Sequence, residues 1–277
     1  MMMPQAAAGI EIEMVLDRRA RLPQGAPMAI AILSAGERDR MRRAGRAAAA
    51  TLAYVGSRLA PGMTTLEIDR MVRAHTQAQG GRPSQLGYHG FPAAVCVSRN
   101  DIVCHGVPSE RVRLAEGDIV NVDVTTELDG FHGDTSATFV IGDAAAHARA
   151  LVELARGARD AGIAAAVPGA RLGDIGAAIV GFVGDRGSIV EAYGGHGIGR
   201  AMHLDPHVPH VGRRGSGHRL REGMAFTIEP MINAGSAEIR TDADGWTVRT
   251  ADGAWSAQFE HTVLIGPHGA EITTVPG

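Results

Sequence analysis

Residues 119–128 read Ile-Val-Asn-Val-Asp-Val-Thr-Thr-Glu-Leu, and Asp123 stands inside that apolar alternation. Val120, Val122 and Val124 fall on one face and Asn121, Asp123 and Thr125 on the other, the period of a strand with one apolar side. Asp129-Gly130 follows as a two-residue hairpin signal, because a type I′ turn needs positive φ at both positions. That turn pairs Leu128 with Phe131 and Thr125 with Asp134, so Asp123 and Asp134 become diagonal neighbours about 7–8 Å apart at the backbone. From there their oxygens can converge on one cation or on two. The plainer reading is a polar hairpin face open to water, and one pair of aspartates alone favours it. Further ligands decide the matter.

Three other stretches supply them. In Met224-Ala-Phe-Thr-Ile-Glu229-Pro230, Glu229 shares a face with Thr227 and Ala225, while Met224, Phe226 and Ile228 take the core side. Gln258-Phe259-Glu260-His261 puts a second acid inside an apolar strand. Gly194-Gly-His196-Gly-Ile-Gly199 surrounds a histidine with glycines, which allow backbone and ligand to approach closely. Taken singly, His196 reads more simply as a hydrogen-bonded loop residue, and Glu260 as a surface acid on an edge strand. Together, four carboxylates cannot share a site as anions without cations. Oxygen-rich ligation with one imidazole suits Mn, Fe, Co or Zn in pairs.

The elements that must position these residues come in two similar sets. Leu114-Ala-Glu116-Gly117 precedes Asp123 by nine residues, and Leu220-Arg-Glu222-Gly223 precedes Glu229 by the same nine. Pro61-Gly62 leads to Glu67-Ile68 as Pro168-Gly169 leads to Asp174-Ile175, and both matches have an offset of 106 or 107 residues. His105-Gly106-Val107 finds a third echo in His196-Gly197-Ile198. Each half is therefore expected to run helices, a histidine loop, then a carboxylate-bearing strand. Capping-box spacing at Ser34/Glu37 and Thr64/Glu67 opens two helices, the first reaching about Leu59. Helices are also expected at 144–167 and 172–183, with strands at 93–98, 119–128, 131–140, near 224–229 and at 257–265. The sum is an α+β fold, an antiparallel sheet covered by helices on one side.

Composition excludes several classes of function. The chain has 277 residues, 45% of them hydrophobic, and a net charge of −3 from 27 basic and 30 acidic residues. No nucleic-acid surface is advertised. All its basic side chains apart from histidine are arginine. Two cysteines, Cys96 and Cys104, do not make a disulfide framework and fit a reducing, cytoplasmic setting. No apolar run reaches the ~18–20 residues of a membrane span. Residues 18–33 faintly imitate a secretory signal, but Met28–Leu33 is shorter than the ~7–15 residues of a signal core.

The segments Asn-Val-Asp123-Val-Thr, His132-Gly-Asp134-Thr, Gly-His196-Gly-Ile-Gly, Phe-Thr-Ile-Glu229-Pro and Gln-Phe-Glu260-His-Thr resemble the five metal-ligand motifs of methionine aminopeptidases, which are M24-type metallopeptidases. The resemblance runs from about Met28 to the C-terminus, and it is to type I: His203 and Glu229 lie 26 positions apart, with no room for the helical insertion of type II. It implies the pseudo-twofold pita-bread fold of creatinases and aminopeptidases, in agreement with the internal repeat. It also implies two divalent ions (Co, Mn, Fe or Zn), with Asp134 and Glu260 bridging, Asp123 chelating one, and His196 and Glu229 holding the other. Glu229 would shuttle a proton, His105 would contact the scissile amide, and His203 would donate to the carbonyl oxygen. Tyr88, Phe91, Cys96 and Trp246 resemble the walls of a methionine pocket, with His89 a further wall residue. Met202 departs from the phenylalanine common in bacterial relatives, and Leu204 from an acid or threonine. The substrates implied are the N-termini of nascent polypeptides with a small second residue, met near the ribosome by a cytoplasmic monomer. His207, His210 and His218 imitate a metal cluster and are expected to form a solvated loop; His132 is a weaker site candidate.

Two rival readings remain at this level. An X-Pro-directed aminopeptidase or prolidase of the same fold usually carries a large N-terminal domain, which 27 extra residues cannot supply. A non-catalytic binding protein on this fold would be expected to lose ligands, and all five are present.

Residues 1–27 lack periodicity and read as an extension or as a start placed too early, ahead of a single catalytic domain at 28–277. Translation from Met28 would leave Ala29 second, small enough for the enzyme to remove its own initiator. The native chain is therefore expected to begin at Ala29, and a variant lacking 1–27 to keep full activity. N-terminal sequencing from the native host checks this; a chain starting at Met1 or Met2, or an inactive truncation, contradicts it.

Overall fold

A computed structural model describes residues 30–276. The expected extension at 1–27 and the start at Met28 lie outside the described residues. Helix α1 (Ala35–Gly56) opens where Glu37 Oε2 accepts the Ser34 N–H at 3.0 Å. Helix α2 (Thr65–Ala78) opens on a reciprocal box: the Thr64 N–H meets Glu67 at 2.7 Å, and the Glu67 N–H meets the Thr64 hydroxyl at 3.1 Å. Three short strands follow, β1 (Arg82–Pro83), β2 (Cys96–Arg99) and β3 (Ile102–Cys104). The hairpin is β4 (Ile119–Leu128) and β5 (Phe131–Val140). Its register pairs Leu128 with Phe131 and Thr125 with Asp134, and Asp129 and Gly130 take φ of 53° and 74°, as a type I′ turn requires.

The second half has helices α3 (Ala146–Ala165) and α4 (Leu172–Val183), then β6 (Ser188–Ile189), β7 (Gly195–Gly197), β8 (Leu204–Val208) and β9 (Ala225–Ile228). It ends with β10 (Met231–Asn233), β11 (Ile239–Thr241), β12 (Val248–Thr250), β13 (Ser256–Gln258), β14 (Glu260–Ile265) and β15 (Ala270–Ile272). The main sheet is antiparallel, in the order β1-β4-β5-β14-β9-β7-β8, with β2 also on β4 and β15 also on β14. It joins the two halves across β5 and β14.

The internal repeat is repeated hydrogen bond by hydrogen bond. Gly62 N–H donates to Leu114 O at 2.7 Å, and Gly169 N–H to Leu220 O at 3.0 Å. Gly117 N–H donates to Ile141 O and Gly223 N–H to Ile265 O, both at 2.8 Å. These four glycines all take left-handed φ of 87° or 88°, which explains why the Pro-Gly and Glu-Gly pairs recur. The histidine echo is not part of that symmetry. Gly197 pairs with Phe226, as Arg99 pairs with Val120, so β7 takes the place of β2 and not of the loop holding His105.

Each half has its own core. Leu52 and Val55 of α1 with Ile68 and Val72 of α2 pack on Val97, Val120, Val122 and Val124. Ile175 and Ile179 of α4, with Leu151 and Val152 of α3, pack on Phe226, Ile228 and Val263. Fully burying one such side chain contributes about 1.5–3 kcal/mol. The expected strand at 93–98 begins only at Cys96, because Asp69 Oδ1 takes the Ala94 N–H at 2.6 Å. Among the described residues no helix is long and apolar enough to cross a membrane.

Helix α1 lies directly on β5 at Gly133, the neighbour of Asp134. A Cβ there would stand 2.5 Å from the backbone of Ala44 and Gly45. Gly133→Ala is therefore expected to cost about 1–3 kcal/mol or more by overpacking. Gly36→Ala, with nothing within 4 Å of the new carbon, is expected to be neutral or stabilising. Urea denaturation of both variants checks the contrast.

Candidate active site

The polar face of the hairpin turns toward the seam between the halves. Asp134 is 5% exposed, Glu260 2% and Glu229 9%, whereas Asp123 opens partly to the cleft. One ligand atom each from Asp134, His196 and Glu260 lies within 4.8 Å of the others. His196 Nε2 stands 3.8 Å from Asp134 Oδ2 and 3.6 Å from Glu229 Oε1. Asp123 and Asp134 are close enough to share a hydrogen bond. All five residues expected as ligands therefore come together. Among the described residues, no ion pair joins any of the four acids to an arginine; the one basic side chain within 4 Å of them is His196.

The candidate ligands are held by neighbouring groups. Thr125 donates to Asp134 Oδ1 at 2.8 Å, and Thr227 to Glu229 Oε1 at 2.6 Å. Gln258 Nε2 reaches Glu229 Oε2 at 3.3 Å. His196 Nδ1 lies 3.1 Å from Gly197 O, which can only accept, so the proton sits on Nδ1 and the Nε2 lone pair faces the acids. Gly195 and Gly197 flank it because a Cβ at either would collide with Thr227 O or Asp205 O. The glycines thus serve strand packing on both sides of the ligand.

Burial sets the protonation states. Desolvation raises all four acids, helped at Asp123 and Glu260 by the neighbouring charges. Asp134 is pushed up to about 7 and Glu229 to about 8. Burial lowers His196 to about 4, so its imidazole is neutral at pH 7. Neutral nitrogen and oxygen donors awaiting charge are a fit donor set for divalent transition ions.

The other expected residues surround this cluster. Phe91 and Cys96 pack with Trp246, the two rings edge to face at 5.2 Å, and Cys96 pairs with Asp123 across β2 and β4. Tyr88 OH lies 2.7 Å from His203 Nδ1, and the ring of His203 meets that of His196 edge to face at 4.2 Å. Cleft walls, and then the nearby His196 and His105, hold the His203 pKa below its usual value. His89 takes a left-handed φ of 47°, exposed beside Tyr88. His105 also takes a positive φ, 54°, and rests edge-on against Tyr193. Met202 is buried directly before His203, and Leu204 begins β8 half-buried. His132 bonds Ser84 at 2.8 Å and stays out of the cluster.

The histidine-rich loop is corrected in part. His207 and His218 are exposed as expected, but His210 is buried, and its Nε2 accepts the Glu229 N–H at 3.2 Å. Burial pushes it down to about 3, which keeps it a neutral acceptor fixing the backbone of Glu229. Gln85, 6% exposed, was not legible either: it contacts Asp123 from a loop 38 residues away. Thr125 and Thr227 did leave a signal, because each lies two residues from an acid on the same strand face.

A carboxylate whose pKa is raised on folding stabilises the fold below its unfolded pKa and loses that contribution as pH rises through the folded value. A histidine lowered to about 4 acts oppositely, but only below about 6.5. Chelator-treated protein is therefore expected to lose thermal stability as pH rises from about 6.5 to 8, as Asp134 and Glu229 ionise. Added Mn²⁺ is expected to flatten that slope. Tm measured across the range, with and without metal, checks it.

The profile of metallopeptidase family M24 matches residues 39–267, more than half of the chain. Methionine aminopeptidase A of Synechocystis sp. is 46% identical over 247 residues, covering 89% of this chain and 98% of that protein. The crystal structure of methionine aminopeptidase from Rickettsia prowazekii superposes with a TM-score of 0.88 at 42% identity, covering 89% of this chain and 100% of that one. Prolidase from Pyrococcus furiosus gives a TM-score of 0.70 at 21% identity, covering 89% of this chain and 66% of that one, a likeness of fold alone. The chain belongs to metallopeptidase family M24 and, within it, groups with the methionine aminopeptidases.

Proposed function

We propose that this chain is a dinuclear-metal aminopeptidase that removes the N-terminal methionine from nascent polypeptides whose second residue is small. The observation that carries the reading is the convergence of four acids and one neutral imidazole with no arginine paired to them among the described residues. Asp123, Asp134, His196, Glu229 and Glu260 would hold the ions, with Asp134 and Glu260 shared by both. Bound there, divalent ions supply Lewis acidity and lower the pKa of a water at the scissile carbonyl.

The chain's own groups do the rest. Glu229 would take a proton from the attacking water and return it to the leaving amine. Tyr88 OH lies 2.7 Å from His203 Nδ1, and with the hydroxyl as donor the ring hydrogen stands on Nε2, directed at a carbonyl oxygen as charge develops. His105 contacts the scissile amide. Tyr88, His89, Phe91, Cys96, Met202 and Trp246 enclose the methionine side chain, and Met202 fills its share with a more flexible group than an aromatic ring. Residues 28–277 act as one catalytic unit, a cytoplasmic monomer working near the ribosome. The X-Pro-directed alternative is not favoured, since the prolidase likeness stops at the fold.

The test is a paired assay of Met-Ala-Ser and Ala-Pro peptides with and without chelator. Only Met-Ala-Ser is expected to turn over, and only with metal. Asp134→Ala and Glu260→Ala are expected to lose turnover and metal together. His203→Ala is expected to lose about 10²–10³ in kcat with metal content unchanged. A His203 variant that loses metal, or an Asp134 variant that keeps both metal and rate, contradicts the assigned roles.

A further inference from the structure

Along the outer edge of β4, two partners leave a gap. Strand β2 pairs with Val120–Asp123, and β1 pairs with Thr126 and Glu127. Val124 and Thr125 lie between them, beside the ligand position. Ser84 N–H covers Thr125 O at 2.9 Å, and the side chain of Gln85 covers the rest. Its Nε2 donates to Asp123 O at 2.8 Å and lies 3.4 Å from Asp123 Oδ1, while its Oε1 accepts the Thr125 N–H at 3.2 Å. A carbonyl only accepts and an N–H only donates, so both ends of the amide are fixed in one orientation. The side chain stands in for a missing strand residue.

The same residue begins the loop that carries Tyr88, His89 and Phe91. Its backbone carbonyl accepts the Tyr88 N–H at 3.0 Å. Asp123 is the one acid of the four that is partly open to the cleft, and no threonine bond of the kind that steadies Asp134 and Glu229 is present at it among the described residues. Gln85 occupies that role from a different element.

We infer that Gln85 is a positioning residue that orients Asp123 for metal binding and ties this ligand to the substrate loop. The inference rests on the proposed reading of Asp123 as a metal ligand. Donation to Oδ1 favours the ionised carboxylate and restricts its rotation, and losing an outer partner of this kind typically costs about 10–100-fold in metal affinity. Gln85→Met keeps the length but removes both ends of the amide. Gln85→Glu replaces the donor with a fifth acid.

The experiment strips the full chain of metal and measures Mn²⁺ affinity by chelator competition and the visible spectrum of the Co²⁺-loaded protein. Both Gln85 variants are expected to bind Mn²⁺ about 10–100-fold more weakly and to shift the Co²⁺ bands, which report ligand geometry. Gln79→Met is the control: its amide bonds Thr51 at 2.8 Å and Ala47 O at 3.2 Å between α1 and α2, and its loss is expected to leave both readouts unchanged. Affinity within twofold of wild type and an unchanged spectrum in the Gln85 variants overturn the inference. If Gln85→Met does not fold, Gln85→Glu decides alone. A wild-type chain that takes up neither ion overturns the underlying reading instead, and with it this one.

Discussion

Taking a carboxylate out of water costs several kcal/mol unless a cation or good donors meet it, and this chain takes out three and partly a fourth within one seam. Threonine and glutamine donors meet some of their lone pairs, yet these neutral groups bring no positive charge. The acids answer by holding their protons, with pKa values raised by burial and by one another. Such a cluster is a poor device for stability and a good one for binding divalent cations.

The duplication explains how two small halves build one such seam. Each half offers an acid from a strand paired antiparallel with its neighbour, held at the same distance from a left-handed glycine. Joining β5 to β14 brings Asp134 and Glu260 beside each other, because Ser136 and Thr135 pair with Glu260 and His261. The two halves then diverge. The first contributes the loop of Tyr88, His89 and Phe91 and a second aspartate, the second contributes His196 and His203. The shared hydrogen bonds supply the frame.

The hairpin was legible because its information is local: alternation, a turn dipeptide and counting gave the register of Thr125 and Asp134 without error. The repeat was legible because glycines with positive φ and capping boxes recur at fixed offsets. The echo between His105 and His196 misled because a three-residue match carries no pairing information, and pairing is what defines equivalence in a sheet. His210 was misread for a related reason. Its neighbours His207 and His218 are exposed, and nothing in the local sequence says that one turn carries the third imidazole under β9. Gln85 left no trace at all, since its contact with Asp123 depends on where two unrelated strands stop. The pocket roles were reached through resemblance and not through spacing.

The most direct measurement of the central claim is the number of protons released when metal enters the site. Titration calorimetry of Mn²⁺ into chelator-stripped protein near pH 7, in buffers of differing ionisation enthalpy, gives that number. If the buried acids hold protons that cations displace, protons should leave as the metal enters, and fewer as pH rises past 8. Metal binding with no buffer dependence would mean that the acids are already ionised, and that something other than a divalent cation compensates their charge.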